Sequence, residues 1–200
     1  MKRLVWLRHP QTAYNVEPIR LRGCLDVPLS PYGFSQIPTI VENLKAAYPN
    51  IKQIYSSPLE RASILATTIA HEYDLKVVKL DELKSWDYGT YNGKPVVEIR
   101  DVLKVLSTGA GRDLAPKGGQ SMNDFLIQLT KGIKEIIYHA PEEGEVLITT
   151  HLQCVLMGVH WLTVGLPEDT SAMLYEYQET NEVEPGTWLE VKRDWVVVKH

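Results

Sequence analysis

Arg8 and His9 follow directly on the apolar run Leu4-Val5-Trp6-Leu7. A strand that stops at Arg-His delivers a cation and an imidazole to the C-terminal edge of a sheet, where α/β proteins place their chemistry. Imidazole attacks phosphorus as a nucleophile, and a guanidinium holds phosphoryl oxygens in a two-pronged fork. Alone, such a pair is common on surfaces. Three later segments give it weight: Arg20-x-Arg22-Gly23 with Asp26-Val27-Pro28-Leu29-Ser30 and Gly33, then Ser56-Ser57-Pro58-Leu59-Glu60-Arg61-Ala62, then Ile148-Thr149-Thr150-His151. In isolation Arg61 reads as a solvated residue at a helix start and His151 as a satisfied cap. If the strands before these segments are parallel, Arg8, His9, Arg61 and His151 gather at one edge. Two imidazoles and two guanidiniums then surround one crevice, beside helix N-termini whose free N–H groups favour anions.

Positioning such a set requires alternating strands and helices. Short apolar runs rich in β-branched residues predict strands over 3–8, 51–56, 75–79, 145–150, 171–177 and 187–198. Ser30-Pro31 predicts an N-cap with proline at the first helical position, leading into Ile37, Ile40, Val41 and Leu44. Pro38 inside that stripe predicts either a kink or a later start. Ser57-Pro58-Leu59-Glu60 reads as a capping box before Ala62, Leu65, Ala66 and Ile69, and Ser121 with Asp124 opens a third helix along Phe125, Leu129, Ile133, Ile136 and Ile137. A fourth begins near His151. The alternation predicts an α/β three-layer sandwich, a mainly parallel central sheet with helices on both faces. Residues 84–120 are the exception, rich in Gly, Pro and Tyr, with one amphipathic piece at Val96, Ile99, Leu103 and Leu106. That stretch reads as a lid-like insertion in a single domain spanning 1–200.

Composition narrows the function classes. The 200 residues are 44% hydrophobic and 23% charged, which is ordinary globular usage, and the net charge of −4 argues against nucleic acid or an anionic membrane as main partner. Cys24 and Cys154 have no metal-ligand spacing, and two free thiols read more simply than a disulfide. The basic start Met1-Lys2-Arg3 precedes an apolar run too short for a signal peptide, and no stretch is long enough to span a bilayer. The expectation is a cytoplasmic protein with no metal and no cofactor.

With these residues in view, the chain resembles the histidine phosphatase superfamily, the phosphoglycerate-mutase-like group with its Arg-His-Gly hallmark. The resemblance runs through Arg8-His9, Asn15, Arg20, Asp26–Ser30, Ser57-Pro58-x-x-Arg61-Ala62, Gly89 and Gly93, Gly118-Gly119-x-Ser121 and His151. It implies phosphoryl transfer to His9 and hydrolysis of the phosphohistidine by water. Arg8, Arg61 and His151 would bind the phosphoryl oxygens, and Asn15 would add a neutral hydrogen bond. For attack His9 must be neutral at the reacting nitrogen, its other nitrogen held by an acceptor, for which a backbone carbonyl is the expectation. Leu152, Arg20 and Arg22 join Asn15 as candidate substrate contacts, the two arginines for a second anionic group or as plain surface charge.

Three positions depart from the family pattern. Pro10 stands where glycine is usual, and Gln120 where the glycine pair is normally followed by Glu. More serious, Ser85 occupies the place of the carboxyl general acid, and a serine hydroxyl is far too weak an acid for that task. In an extended segment Asp87 projects to the same side as Ser85, which makes it the first candidate acid, with Glu82 second; a purely structural Asp87 is the alternative.

The leading reading is a metal-independent phosphatase for a small phosphorylated metabolite, a phosphoric monoester hydrolase. The alternative is a phosphate-binding or regulatory module that has lost turnover with its acid. A mutase is less favoured because the chain is short, and a P-loop or dinucleotide fold because no Gly-rich loop follows a predicted strand. Substrate specificity is assigned to 84–120, where Trp86, Tyr88 and Tyr91 either line a pocket or pack the lid.

Overall fold

The computed structural model describes residues 3–107, 109–163, 183–191 and 197–199. Its strands are β1 (Arg3–Arg8), β2 (Ile51–Ser56), β3 (Val77–Lys79), β4 (Glu145–Thr150), β5 (Trp188–Val191) and β6 (Val197–Lys199). The helices are α1 (Pro31–Ala47), α2 (Glu60–Glu72), α3 (Val96–Ser107), α4 (Met122–His139) and α5 (Leu152–Thr163). All six strands form one sheet in the order β3-β2-β4-β1-β5-β6. The first four in that order are mutually parallel, while β5 runs antiparallel to β1 and β6 antiparallel to β5. Among the described residues, no helix is long and apolar enough to cross a membrane, and both cysteines are free thiols.

Strands covered on both faces must be apolar at successive positions, and β1 and β4 are buried almost throughout. Their alternating side chains feed two separate cores. Val5, Leu7, Ile54 and Leu147 pack with Ile37, Leu44, Leu65 and Ile69 of α1 and α2. Trp6, Tyr55, Val146 and Ile148 face the other way, against Phe125 and Ile133 of α4 and Val155 and Val159 of α5. Helices on both faces of a mainly parallel sheet make the three-layer α/β sandwich that the alternation implied.

Local signals hold where the cap is local. Ser30 Oγ accepts from Gly33 N at 3.0 Å, and α1 starts at Pro31 and runs through Pro38 to Ala47. Ser121 and Asp124 close a reciprocal box at the start of α4, with Asp124 N donating to Ser121 Oγ at 3.1 Å and Ser121 N to Asp124 Oδ2 at 3.2 Å. The Ser57 box is corrected. Helix α2 begins at Glu60, and its first free N–H, that of Glu60, donates at 2.8 Å to Asp26 Oδ1 from a distant loop. The Ser57 hydroxyl faces His151 instead, at 2.8 Å. Two strand boundaries also change: the 75–79 run pairs only over Val77–Lys79, and the 187–198 run is two strands, β5 and β6. The strand expected at 171–177 lies outside the described residues.

Packing of the α5 layer depends on one glycine. A Cβ built on Gly158 would lie 2.6 Å from Cη2 of the Trp6 indole, a rigid ring with 0% exposure. Gly158→Ala gains up to about 1 kcal/mol of helix propensity but overpacks the core, which costs about 1–3 kcal/mol. A lowered urea midpoint with unchanged m-value is the expected result; a raised midpoint contradicts this account of the contact.

Candidate active site

Parallel register places the ends of β1, β2 and β4 side by side. Arg8 pairs with Thr150 and Ser56 with Thr149, so the next residues along, His9, Ser57 and His151, stand together at the C-terminal edge. Two further ladder bonds hold them there, His9 N to Thr150 O at 3.0 Å and Ser57 N to Thr149 O at 2.9 Å. Above them opens a crevice of about 750 Å³. Eight of the ten residues singled out from the sequence line it: Arg8, His9, Asn15, Arg20, Arg22, Arg61, His151 and Leu152. Asp87 and Glu82 do not.

His9 is buried and its Nδ1 lies 2.6 Å from the carbonyl oxygen of Pro10, so Nδ1–H donates and Nε2 keeps its lone pair. The acceptor is the main-chain carbonyl of residue 10, a group that does not depend on its being proline. The His151 ring stands 5.4 Å from that of His9, centroid to centroid, at 58°. Ser57 Oγ accepts from Leu59 N at 3.3 Å and so directs its own proton to His151 Nε2. That leaves the His151 proton on Nδ1, a buried donor with no partner among the described residues. Nε of Arg8 and Nε of Arg61 are buried and unpartnered in the same way. An unmet buried donor costs about 1–3 kcal/mol. The three residues that carry these donors line the same crevice as His9, a set of cations and imidazoles suited to an anion.

The cations are held rigidly by carbonyls. Arg8 Nη1 donates to Val183 O at 2.5 Å, and Arg61 donates through Nη1 to Leu25 O at 2.5 Å and through Nη2 to Gly23 O at 2.8 Å. No carboxylate of the described residues forms an ion pair with Arg8, Arg22 or Arg61. Burial, and then the neighbouring Arg22, push Arg8 down to about 9 and Arg61 to about 10, while burial lowers Arg22 itself to about 10. All three remain charged near neutral pH.

Both imidazoles are driven well below 6.5, first by burial and then by these guanidiniums; Arg22 acts most strongly on His9, and Arg61 on His151. They are neutral when folded, yet titrate near their ordinary value of about 6.5 when unfolded. Below that pH the unfolded chain binds protons that the folded chain refuses. Stability present above about pH 6.5 is therefore lost as pH falls, by up to about 1.4 kcal/mol per pH unit for each histidine. Urea unfolding between pH 7.5 and 5.5 is expected to lose this slope in a His9→Asn/His151→Asn double variant. The same slope in both proteins would contradict the neutral assignment.

Around this centre, Asn15 Oδ1 accepts from Thr12 N and Thr12 Oγ1 at 2.9 and 3.0 Å, which turns its amide toward the crevice. Arg20 Nη1 donates to Gly93 O at 3.0 Å and ties the first loop to the 84–120 segment. Arg22 makes only a long contact, 3.5 Å, to Thr12 Oγ1. From the sequence it was a candidate for a remote second anion. In the structure it sits among the central cations.

Both proposed acids need correction. Asp87 Oδ1 accepts from Gly89 N at 2.9 Å and Asn92 Nδ2 at 2.7 Å, capping the Gly89–Tyr91 turn. Glu82 Oε1 lies 2.5 Å from Lys131 Nζ on α4, and that hydrogen bond holds its carboxyl below the usual range, the wrong direction for a proton donor. Side-chain alternation failed because 84–88 is not a strand: Ser85, Trp86 and Tyr88 all line the crevice. Gly89, at φ +53°, turns the chain back so closely on Lys117 and Gly119 that a Cβ there would lie 2.3 Å from Lys117 O. Gln120 locks this crossing; its Oε1 accepts from Asp87 N at 3.1 Å and its carbonyl from Trp86 Nε1 at 2.9 Å. The glutamine that loses a charge is thus an amide clamp.

Sequence reasoning missed Arg100 and Glu184, both of which line the crevice. Arg100 had a legible signal. Val96, Arg100, Leu103 and Ser107 recur at helical spacing on the crevice side of α3, while Ile99 and Leu106 enter the core. Glu184 had none. It lies on the turn before β5, whose Gly186 N donates to Arg8 O at 3.3 Å and to His9 O at 3.2 Å.

The family model of the histidine phosphatase superfamily, branch 1, matches residues 4–186. The chain is 33% identical over 102 residues to phosphoserine phosphatase 1 of Hydrogenobacter thermophilus, covering 50% of this chain and 46% of that protein. It therefore spans less than half the length of that relative. Putative phosphoserine phosphatase 2 of the same organism is 37% identical over 170 residues, 80% of each chain. The structure of a mycobacterial glucosyl-3-phosphoglycerate phosphatase in complex with VO3 superposes with a TM-score of 0.78 at 25% identity, over 96% of this chain and 93% of that one.

Proposed function

The chain belongs to the histidine phosphatase superfamily, branch 1, and on that premise we propose that it is a metal-independent phosphatase acting on a small phosphorylated metabolite through a phosphohistidine at His9. One observation carries the reading: a neutral, tautomer-fixed imidazole lines the same crevice as Arg8, Arg61 and His151, each with a buried donor unpartnered among the described residues. Nε2 attacks phosphorus while Arg8, Arg61 and His151 bind the phosphoryl oxygens as their charge redistributes. The P–O bond to the leaving group breaks. Water then attacks the phosphohistidine and the P–N bond breaks, releasing inorganic phosphate. Such transfer needs positioning and fixed positive charge above all, and both are supplied here by side chains. The names of the relatives, phosphoserine phosphatase and glucosyl-3-phosphoglycerate phosphatase, denote enzymes for small phosphorylated metabolites and favour the same substrate class. A cytoplasmic location belongs to this reading.

A second reading, a phosphate-binding module without turnover, is favoured by Ser85 together with the engagement of Glu82 and Asp87 elsewhere. The discriminating experiment is hydrolysis of para-nitrophenyl phosphate in the presence of EDTA. Turnover supports the phosphatase. Phosphate binding without release of nitrophenol would establish the module.

A further inference from the structure

Resting on the phosphohistidine reading, we propose that Arg22 is the cation that stabilises the leaving group, and that the site is built for phosphate joined to an acidic partner, an acyl phosphate or phosphoanhydride, rather than for alkyl phosphate esters.

The first support is the supply of protons. An alkoxide leaves only if it is protonated as its bond to phosphorus breaks. Ser85 is buried at the crevice wall and is no acid, Glu82 is paired with Lys131, and Asp87 caps a turn. Among the described residues lining the crevice, Glu184 is the one carboxyl. It is exposed to solvent at the rim.

The second support is the charge. Arg8, Arg61 and Arg22 crowd one crevice with no carboxylate of the described residues in ion-pair contact. Arg8 and Arg61, with His151, suffice for the three equatorial phosphoryl oxygens. Arg22 is then a cation beyond what the phosphoryl group needs. It lines the crevice beside Tyr88, and its one hydrogen bond among the described residues, to Thr12 Oγ1, is long at 3.5 Å, so its fork is not spent on the protein. The fourth oxygen, the one that bridges to the leaving group, is the site where negative charge appears next to those three. Arg20 and Arg100 line the same crevice and extend the positive field toward the rest of an anionic leaving group.

The step balances without an acid. The Nε2–P bond forms as the P–O bridge bond breaks, and the electron pair of the broken bond goes to the bridging oxygen. A carboxylate or phosphate bears that charge by resonance, and Arg22 neutralises it. In the second half, the oxygen of water bonds to phosphorus, the N–P pair returns to Nε2, and the proton of water leaves with the released phosphate.

The test is a leaving-group series with EDTA present: acetyl phosphate, inorganic pyrophosphate, aryl phosphates of graded acidity and glycerol phosphate. It is run on the wild type and on Arg22→Ala, Arg22→Lys, Glu184→Gln and His9→Ala. In the wild type, acetyl phosphate is expected to exceed glycerol phosphate in kcat/KM by about 10²–10⁴-fold, the factor a general acid would otherwise contribute. Arg22→Ala is expected to lose about 10²-fold on acetyl phosphate and to steepen the dependence on leaving-group acidity, with partial recovery in Arg22→Lys. Inorganic phosphate binding verifies that the variants are folded. A series in which glycerol phosphate is as good as acetyl phosphate overturns the proposal while leaving the phosphatase reading intact. So does a uniform fall in Arg22→Ala with the slope unchanged, or a steeper slope in Glu184→Gln, which would make Glu184 the acid. Failure of every probe above the His9→Ala background would instead overturn the phosphohistidine reading itself, and this proposal with it.

Discussion

Alanine at position 9 is expected to abolish turnover of para-nitrophenyl phosphate, a loss on the order of 10⁶-fold in kcat, as when the nucleophile of a covalent mechanism is removed. The size follows from the role. In the proposed mechanism His9 supplies the lone pair on which the intermediate forms, and among the described residues the crevice holds only one other imidazole, His151, whose Nε2 is occupied by Ser57 at 2.8 Å. Binding is expected to survive, because Arg8, Arg61 and the His151 donor stay in place. Quenched-flow measurement with labelled substrate should trap acid-labile phosphoprotein in the wild type and none in the variant. Trapped phosphoprotein in His9→Ala would place the nucleophile elsewhere.

Arg61→Ala should produce the next largest effect, about 10²–10³-fold in kcat, the usual consequence of removing one fixed donor to a developing anion. Lysine should not rescue it. The guanidinium spans Gly23 O and Leu25 O at 2.8 and 2.5 Å while its Nε is unpartnered among the described residues. An ammonium presents a point charge without that fork. The same loop sends Asp26 back to cap Glu60, so Arg61 and Asp26 clamp the start of α2 to residues 23–26 from both sides. Phosphate should raise the Tm of the wild type, by the free energy of its binding to the folded state alone, and raise that of Arg61→Ala far less. An equal rise in both would show that Arg61 does not hold the anion.

Much of this could be read from residue order. Arg8, His9, Arg61 and His151 were placed together because each sits at or just beyond the end of an apolar run in a β/α alternation, and the parallel register of β1, β2 and β4 brings them to one edge. The Ser30 and Ser121 caps were legible because donor and acceptor are three residues apart. The Ser57 box was misread for the opposite reason: its hydroxyl has a partner 94 residues away, and the true cap of α2 comes from Asp26, 34 residues before. The acid candidates failed because alternation was applied to a segment that turns at Gly89 under the grip of Gln120.

By itself, then, the sequence determined the class of fold, the edge of the sheet at which the polar residues gather, and the set Arg8, His9, Arg61 and His151 that meets there. Hydrophobic period, local caps and strand ends are short-range properties of the chain, and they decide where backbone stops and side chains begin. Only the tertiary structure decided the charge balance: Arg22 beside His9, Glu82 drawn to Lys131, Asp87 turned into a cap, and Arg100 and Glu184 at the crevice. Coulomb interaction and desolvation depend on distance through space and on burial, and both are set by packing between segments far apart along the chain.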